Sequence, residues 1–89
     1  MAKHTFTHYA DPGHGWIKVP TKVLFDLGID KTQFTTYSYQ RKDAVYLEED
    51  GDAYKFLKLY KHIKGVEPTI VTKHTNRSSR IRSYESLKA

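Results

Sequence analysis

The spacing of hydrophobic positions divides the first third of the chain into two strands and a helix. Alternation over residues 3–9 and a short β-rich run over residues 16–19 predict two strands. Residues 11–15 between them contain one proline and two glycines, a composition typical of a tight turn. Residues 20–27 carry apolar side chains at helical spacing, and Gly28 can end a helix in the left-handed conformation.

The middle of the chain predicts a second pair of strands. Aromatic and β-branched residues recur over residues 32–39, and alternation resumes over residues 44–48. The polar residues 40–43 between them predict the turn of a hairpin. Farther along, residues 69–72 are rich in β-branched side chains and predict another strand.

The clearest element is a helix between the second hairpin and Gly65. Hydrophobic residues fall on one of its arcs at helical spacing, and basic residues fall on the other. The hydrophobic arc consists of Ala53, Phe56, Leu57, Tyr60 and Ile63. The basic arc consists of Lys55, Lys58, Lys61 and His62. We expect Gly65 to end this helix and Asp50 or Asp52 to cap its start.

These elements predict the order β-β-α-β-β-α-β. The fold class is therefore α+β, a mainly antiparallel sheet with two helices on one face. We expect residues 1–74 to form one small compact domain. Residues 75–89 form a basic C-terminal segment, either a last strand carrying Ile81 and Tyr84 or a tail.

Composition narrows the class of protein. The 89 residues include no cysteine, which excludes disulfides and thiolate metal ligands. With 38% hydrophobic residues the chain can form one core, and it is too short for a second. It has no apolar run long enough for a membrane span and no segment typical of a signal peptide. We therefore expect a cytoplasmic protein that does not associate with membranes.

Charge is distributed unevenly along the chain. Residues 1–52 carry six Lys/Arg and eight Asp/Glu, a net of −2, whereas residues 53–89 carry nine and two, a net of +7. Such a basic field attracts nucleic acid or an acidic protein surface, and tyrosines can stack on unpaired bases. The expected basic surface consists of Lys55, Lys58, Lys61, Lys73, Arg77, Arg80 and Arg82. The expected stacking residues are Tyr37, Tyr39 and Tyr46.

A second hypothesis places a metal at the predicted turn. His8, Asp11 and His14 flank it and are candidate ligands of a metal-dependent hydrolase or nuclease. In a related hypothesis, His14 is a general base that Asp11 orients. The carboxylates at residues 48–52 could bind Mg²⁺ or Ca²⁺, but the full calcium-loop pattern is lacking, and capping of the next helix explains them without a ligand. Since the chain has no strong catalytic motif, we expect a binding protein with no cofactor and no metal.

Four blocks of sequence resemble a family of small, uncharacterised proteins from bacteriophages and mobile elements. The blocks are residues 11–16 (DPGHGW), 37–41 (YSYQR), 45–50 (VYLEED) and 73–84 (KHTNRSSRIRSY). No activity is established for this family, so no residue role transfers. The resemblance implies a non-enzymatic inhibitor or modulator of nucleic-acid-handling or defence machinery in the cytoplasm of a bacterial host. Direct nucleic-acid binding and metal-dependent hydrolysis are the alternatives.

Overall fold

The computed structural model describes residues 4–87, which form a six-stranded sheet and two α-helices. The strands are β1 (Thr5–Ala10), β2 (Gly15–Pro20), β3 (Tyr39–Arg41), β4 (Ala44–Glu48), β5 (Thr69–His74) and β6 (Glu85–Ser86). The helices are α1 (Thr21–Leu27) and α2 (Asp52–Lys64), and short 3-10 helices lie at Lys31–Gln33 and Arg80–Ser83. Across the sheet the strand order is β5-β1-β2-β4-β3-β6. The predicted α+β class is confirmed.

Both helices pack on one face of the sheet, the first face. Alternate residues of the central strands point to this side because side chains along a strand alternate between the two faces. Their core with the helices includes Phe6, Ile17, Val19, Leu24, Val45, Leu47, Phe56 and Tyr60. Phe56 is fully buried, and its ring meets the Phe6 ring edge-on at 5.4 Å.

The second face of the sheet is covered by the C-terminal segment. Its core contains Trp16, Ala44, Tyr46 and Ile81, with Tyr9, Tyr39 and Tyr84 packed against them. Glu85–Ser86 forms β6, which pairs with β3, and Leu87 joins the core of the first face. Residues 75–87 therefore include a last strand packed on the rest of the fold, and residues 88–89 lie outside the described residues.

Both helices end where the sequence predicts, but the start of α2 differs from the expectation. Gly28 (φ 71°) and Gly65 (φ 76°) adopt the left-handed conformation that favours glycine. The predicted side-chain cap on α2 is wrong: Gly51 precedes the helix, and no side chain among the described residues caps it. Within residues 4–87, no helix is both long and apolar enough to cross a membrane.

Residues 32–39 do not form the predicted strand. After the 3-10 helix at Lys31–Gln33 the chain turns, and β3 begins only at Tyr39. Oδ2 of Asp52 accepts hydrogen bonds from the Thr35 N–H and Thr35 hydroxyl, both at 2.8 Å, and from the Ser38 hydroxyl. Because a buried carboxylate from α2 holds this turn, local β propensity is overridden by a contact that is distant in sequence.

Three further details differ from the predicted arrangement. The hairpin turn lies at Lys42 and Asp43, with Lys42 at φ 53°. The last predicted strand, β5, is an edge strand that runs parallel to β1, whereas the other pairs are antiparallel. Ile63, assigned to the buried arc of α2, is 46% exposed, since it follows Tyr60, the last buried residue of the helix.

Candidate functional site

The predicted cationic residues do not form one continuous surface. Those of α2 are exposed on the helix that covers the first face: Lys55, Lys58 and Lys61. Three others lie near the second face: Lys73, Arg77 and Arg80. Lys73 is the register partner of Tyr9, and paired residues on neighbouring strands point to the same side. The seventh, Arg82, has a separate role.

Two of the α2 lysines already have partners within the protein. Lys55 Nζ donates to the carbonyl oxygen of Gln33 at 2.8 Å, which ties the helix to the first 3-10 helix. Lys58 Nζ lies 5.3 Å from the centre of the Tyr54 ring, a cation–π contact. This geometry favours the interpretation that these lysines form the solvated side of an amphipathic helix.

Arg82 is held in an ion pair with Asp11. Arg82 Nε lies 2.7 Å from Oδ2 of Asp11, and Nη2 lies 2.9 Å from Oδ1, which is a bidentate geometry. The same carboxylate accepts hydrogen bonds from the backbone N–H groups of Gly13, His14 and Ser79. The network joins the β1–β2 turn to the C-terminal segment, so Arg82 is not a free phosphate ligand.

This network also determines the role of Asp11. The Arg82 guanidinium, followed by the Ser79 N–H, holds the pKa of Asp11 well below its usual range, and the pair raises the pKa of Arg82. Asp11 binds the backbone N–H of His14, and within the described residues none of its hydrogen bonds reaches the His14 ring. Asp11 therefore stabilises the turn and does not orient a general base.

A groove crosses the second face between the strands and the C-terminal segment. It consists of two adjoining hollows of about 350 and 570 Å³ that share Lys18, Tyr46 and Tyr84. We call it the tyrosine groove. Its cationic lining residues are Lys18, Arg41, Lys42, Arg77 and Arg80. Its aromatic lining residues are Tyr9, Tyr46 and Tyr84, and Asp43 adds a carboxylate at one end.

Aromatic and cationic groups are interleaved along the tyrosine groove. The Arg41 guanidinium carbon lies 4.9 Å from the centre of the Tyr84 ring, whose centre is 5.0 Å from that of Tyr46. Burial, and then the neighbouring Tyr84 and Tyr9, raise the pKa of Tyr46, which therefore stays a neutral phenol. Tyr46 is only 7% exposed, whereas Tyr9 and Tyr84 are half-buried, so these two offer more ring surface.

The sequence predicts only some of the residues that line this groove. Those predicted as binding residues are Arg77, Arg80 and Tyr46. The cationic and aromatic lining residues outside that prediction are Tyr9, Lys18, Arg41, Lys42 and Tyr84. Lys18 is the register partner of Tyr46. Once the β2–β4 pairing is known, the alternation of side chains along each strand predicts that both lie on the same face. That pairing joins strands separated by α1 and β3, and no local pattern specifies it.

A second cleft, which we call the histidine cleft, lies beside Trp16 and has a volume of about 350 Å³. Its aromatic walls are Trp16, Tyr37 and Tyr39, and its polar lining residues are His14, Glu48, Asp50 and Arg82. The Trp16 and Tyr39 rings meet edge-on at 6.2 Å. Tyr37 and Tyr39, predicted to stack on bases, thus line the cleft that contains these carboxylates, although Tyr39 is the register partner of Tyr46.

The predicted metal ligands His8, Asp11 and His14 are not brought together. His8 Nε2 lies 3.0 Å from Glu49 Oε1, and Nδ1 lies 3.3 Å from the Thr72 hydroxyl. Asp11 is occupied by Arg82, and His14 lies in the histidine cleft. The metal-dependent hydrolase built on these three residues therefore has no support in the geometry.

No protein-family model, curated protein or solved structure matches this chain. The resemblance to bacteriophage and mobile-element proteins stays a prediction. Function is therefore inferred from the groove and the cleft themselves.

Proposed function

We propose that this protein binds single-stranded nucleic acid in the tyrosine groove. The observation that carries the proposal is the placement of five cationic side chains around three tyrosines in one groove. Several Lys and Arg on one surface attract a phosphate backbone and release its counterions, which supplies most of the affinity of non-specific binding. Arg77 and Arg80 also offer planar donor groups that suit phosphate oxygens.

The tyrosines favour a single strand over a duplex. Unpaired bases can stack on aromatic rings without regard to sequence, whereas the bases of a duplex are already stacked on each other. Tyr9 and Tyr84 are half-buried, so each is held by packing while part of its surface stays accessible. The groove therefore combines a charged track for the backbone with ring surface for bases.

The test is a titration of labelled single-stranded DNA, single-stranded RNA and duplex DNA, followed by fluorescence anisotropy at several salt concentrations. We expect binding of a single strand with a Kd below about 100 μM at low salt, the weak limit of ordinary non-specific binding. The variant Lys18→Gln/Arg77→Gln/Arg80→Gln should flatten the slope of log K against log salt by about 2, since each phosphate contact on a single strand contributes about 0.7.

The α2 lysines provide a matched control that removes the same charge. The variant Lys55→Gln/Lys58→Gln/Lys61→Gln should leave the salt slope close to that of the wild type, because these side chains lie on the opposite side of the molecule. Thermal melts of both variants exclude loss of the fold. An equal or larger loss of binding in the α2 variant would mean that the groove is the wrong surface.

A tyrosine variant distinguishes nucleic acid from an acidic protein surface, the other partner class predicted from the sequence. Tyr9→Leu keeps an apolar side chain but removes the ring, and stacking of one base on a ring is worth about 1–3 kcal/mol. Single-strand affinity should therefore fall in this variant. If no nucleic acid binds, or if only charge substitutions affect binding, the single-strand proposal is wrong, and an acidic protein becomes the partner to seek.

A further inference from the structure

Three metal-ligating side chains converge in the histidine cleft, away from the tyrosine groove. His14 comes from the β1–β2 turn, Glu48 from the end of β4, and Asp50 from the loop before α2. One ligand atom of each lies within 4.8 Å of the other two. Two ligands at 2.2 Å from one ion are at most about 4.4 Å apart, so small side-chain rotations would complete a site. His14 and Asp50 are exposed and free to make them.

Within residues 4–87, no ion pair balances the charge of this cluster, because neither Glu48 nor Asp50 takes part in one. Arg82 also lines the cleft, but the Asp11 carboxylate compensates its charge at 2.7 Å. Two carboxylates held close together without a counterion repel each other, and a divalent cation between them would relieve that repulsion.

An independent observation concerns the wall of the same cleft. Trp16 is 2% exposed, and its indole Nε1 is buried with no hydrogen-bond acceptor in the described part of the protein. A buried N–H without an acceptor is costly and rare. The Trp16 ring lines the cleft and lies 6.1 Å from the His14 ring, so an N–H donor without an acceptor borders the proposed site.

We propose that His14, Glu48 and Asp50 bind a divalent transition-metal ion, Zn²⁺ or Mn²⁺. An imidazole with two carboxylates is a ligand set of one nitrogen and several oxygen atoms. A nitrogen ligand favours a transition-metal ion, whereas Mg²⁺ and Ca²⁺ favour ligand sets made only of oxygen atoms. Three protein ligands leave at least one coordination position open, as in catalytic zinc sites. That position would be open to a water or an oxygen ligand in the cleft walled by Tyr37, Tyr39 and Trp16.

The experiment is a titration of the purified full chain with ZnCl₂, MnCl₂ and MgCl₂ by calorimetry. A second readout is quenching of the fluorescence of Trp16, the single tryptophan, by Co²⁺, because its ring lies 6.1 Å from that of His14. We expect one Zn²⁺ or Mn²⁺ per chain, weaker binding of Mg²⁺, and quenching by Co²⁺. His14→Ala, Glu48→Gln and Asp50→Asn should each weaken binding at least about tenfold.

The control is His62→Ala, which removes an exposed histidine on α2 and should leave metal affinity unchanged. Circular dichroism of the metal-free variants checks the fold, and the near-isosteric Glu48→Gln and Asp50→Asn decide the matter if His14→Ala does not fold. The absence of both heat and quenching at about 1 mM metal would overturn the proposal. Equal affinity in the wild type and the cleft variants would do the same, since it would place the ion elsewhere.

Discussion

The buried carboxylate of Asp52 is expected to hold the turn between the first 3-10 helix and β3. Asp52 is 3% exposed, and its Oδ2 accepts all three hydrogen bonds from Thr35 and Ser38. The Ser38 hydroxyl also accepts the Glu48 N–H at 3.0 Å, which links β4 to the same network. Replacement of Asp52 should therefore destabilise the whole domain, although it changes no apolar contact of the sheet.

The size of the effect follows from the burial of each donor. A hydrogen bond to a charged group contributes about 1.5–3 kcal/mol, and the Ser38 hydroxyl is fully buried, so its loss should cost that much. Thr35 is exposed, and water can replace its acceptor, so its two bonds add only about 0.5–1 kcal/mol together. Asp52→Ala should thus cost about 2–4 kcal/mol.

Asp52→Asn should cost about half as much. All three bonds end on one oxygen, which the amide can still supply, but hydrogen bonds to a charged acceptor are about twice as strong as neutral ones. The free energy of unfolding is measured by urea titration, followed by Trp16 fluorescence and circular dichroism. Asp26→Ala, an exposed carboxylate on α1, is the control and should stay within about 0.5 kcal/mol of the wild type.

A double-mutant cycle separates the network from any general effect of the substitutions. Because Asp52 and Ser38 share a hydrogen bond, Asp52→Ala and Ser38→Ala should be non-additive by about 0.5–3 kcal/mol. A loss below about 1 kcal/mol for Asp52→Ala, or full additivity with Ser38→Ala, would refute this account of the turn. The irregular course of residues 32–38 would then need another explanation.

Two further predictions concern the core and the ion pair. Phe56→Ala should lower the free energy of unfolding by about 3–5 kcal/mol, because Phe56 is fully buried against the first face; a loss below about 1 kcal/mol in urea titration would contradict this packing. Asp11→Asn should remove part of the acid sensitivity of the melting temperature. Since the folded-state pKa of Asp11 is lowered, its contribution is present above about pH 4 and lost as pH falls. An unchanged melting profile from pH 2 to 7 would contradict this role.

The sequence predicts that the candidate site is basic, but it does not predict which residues form it. The excess of Lys and Arg in the second half of the chain predicts a basic surface that includes Arg77 and Arg80, and both line the tyrosine groove. Counting charge could not show that Arg82 is bound to Asp11, 71 positions earlier in the sequence. Nor could it show that Lys18, from the acidic half, lines the same hollow as these arginines.

The histidine cleft illustrates the same limit. Proximity in sequence groups His14 with His8 and Asp11, whereas the structure places His14 beside Glu48 and Asp50. Along a strand, neighbours alternate between opposite faces, so proximity in sequence is a poor guide to proximity in space. The acidic run after β4 was recognised as a cluster, but its approach to the β1–β2 turn depends on the β2–β4 pairing.

Local patterns in the chain were enough to establish both helices, the glycines that end them, most of the strands and the side of α2 that is buried. These features depend on periodicity and on backbone conformations that few residue types tolerate, and neighbouring residues alone specify both. The tertiary structure decided which strands pair, that the C-terminal segment covers the second face, and that residues 32–38 form a turn. Those outcomes depend on burying Asp11 and Asp52 with their partners and on covering Trp16 and Tyr46, which are free-energy terms between residues far apart in the sequence.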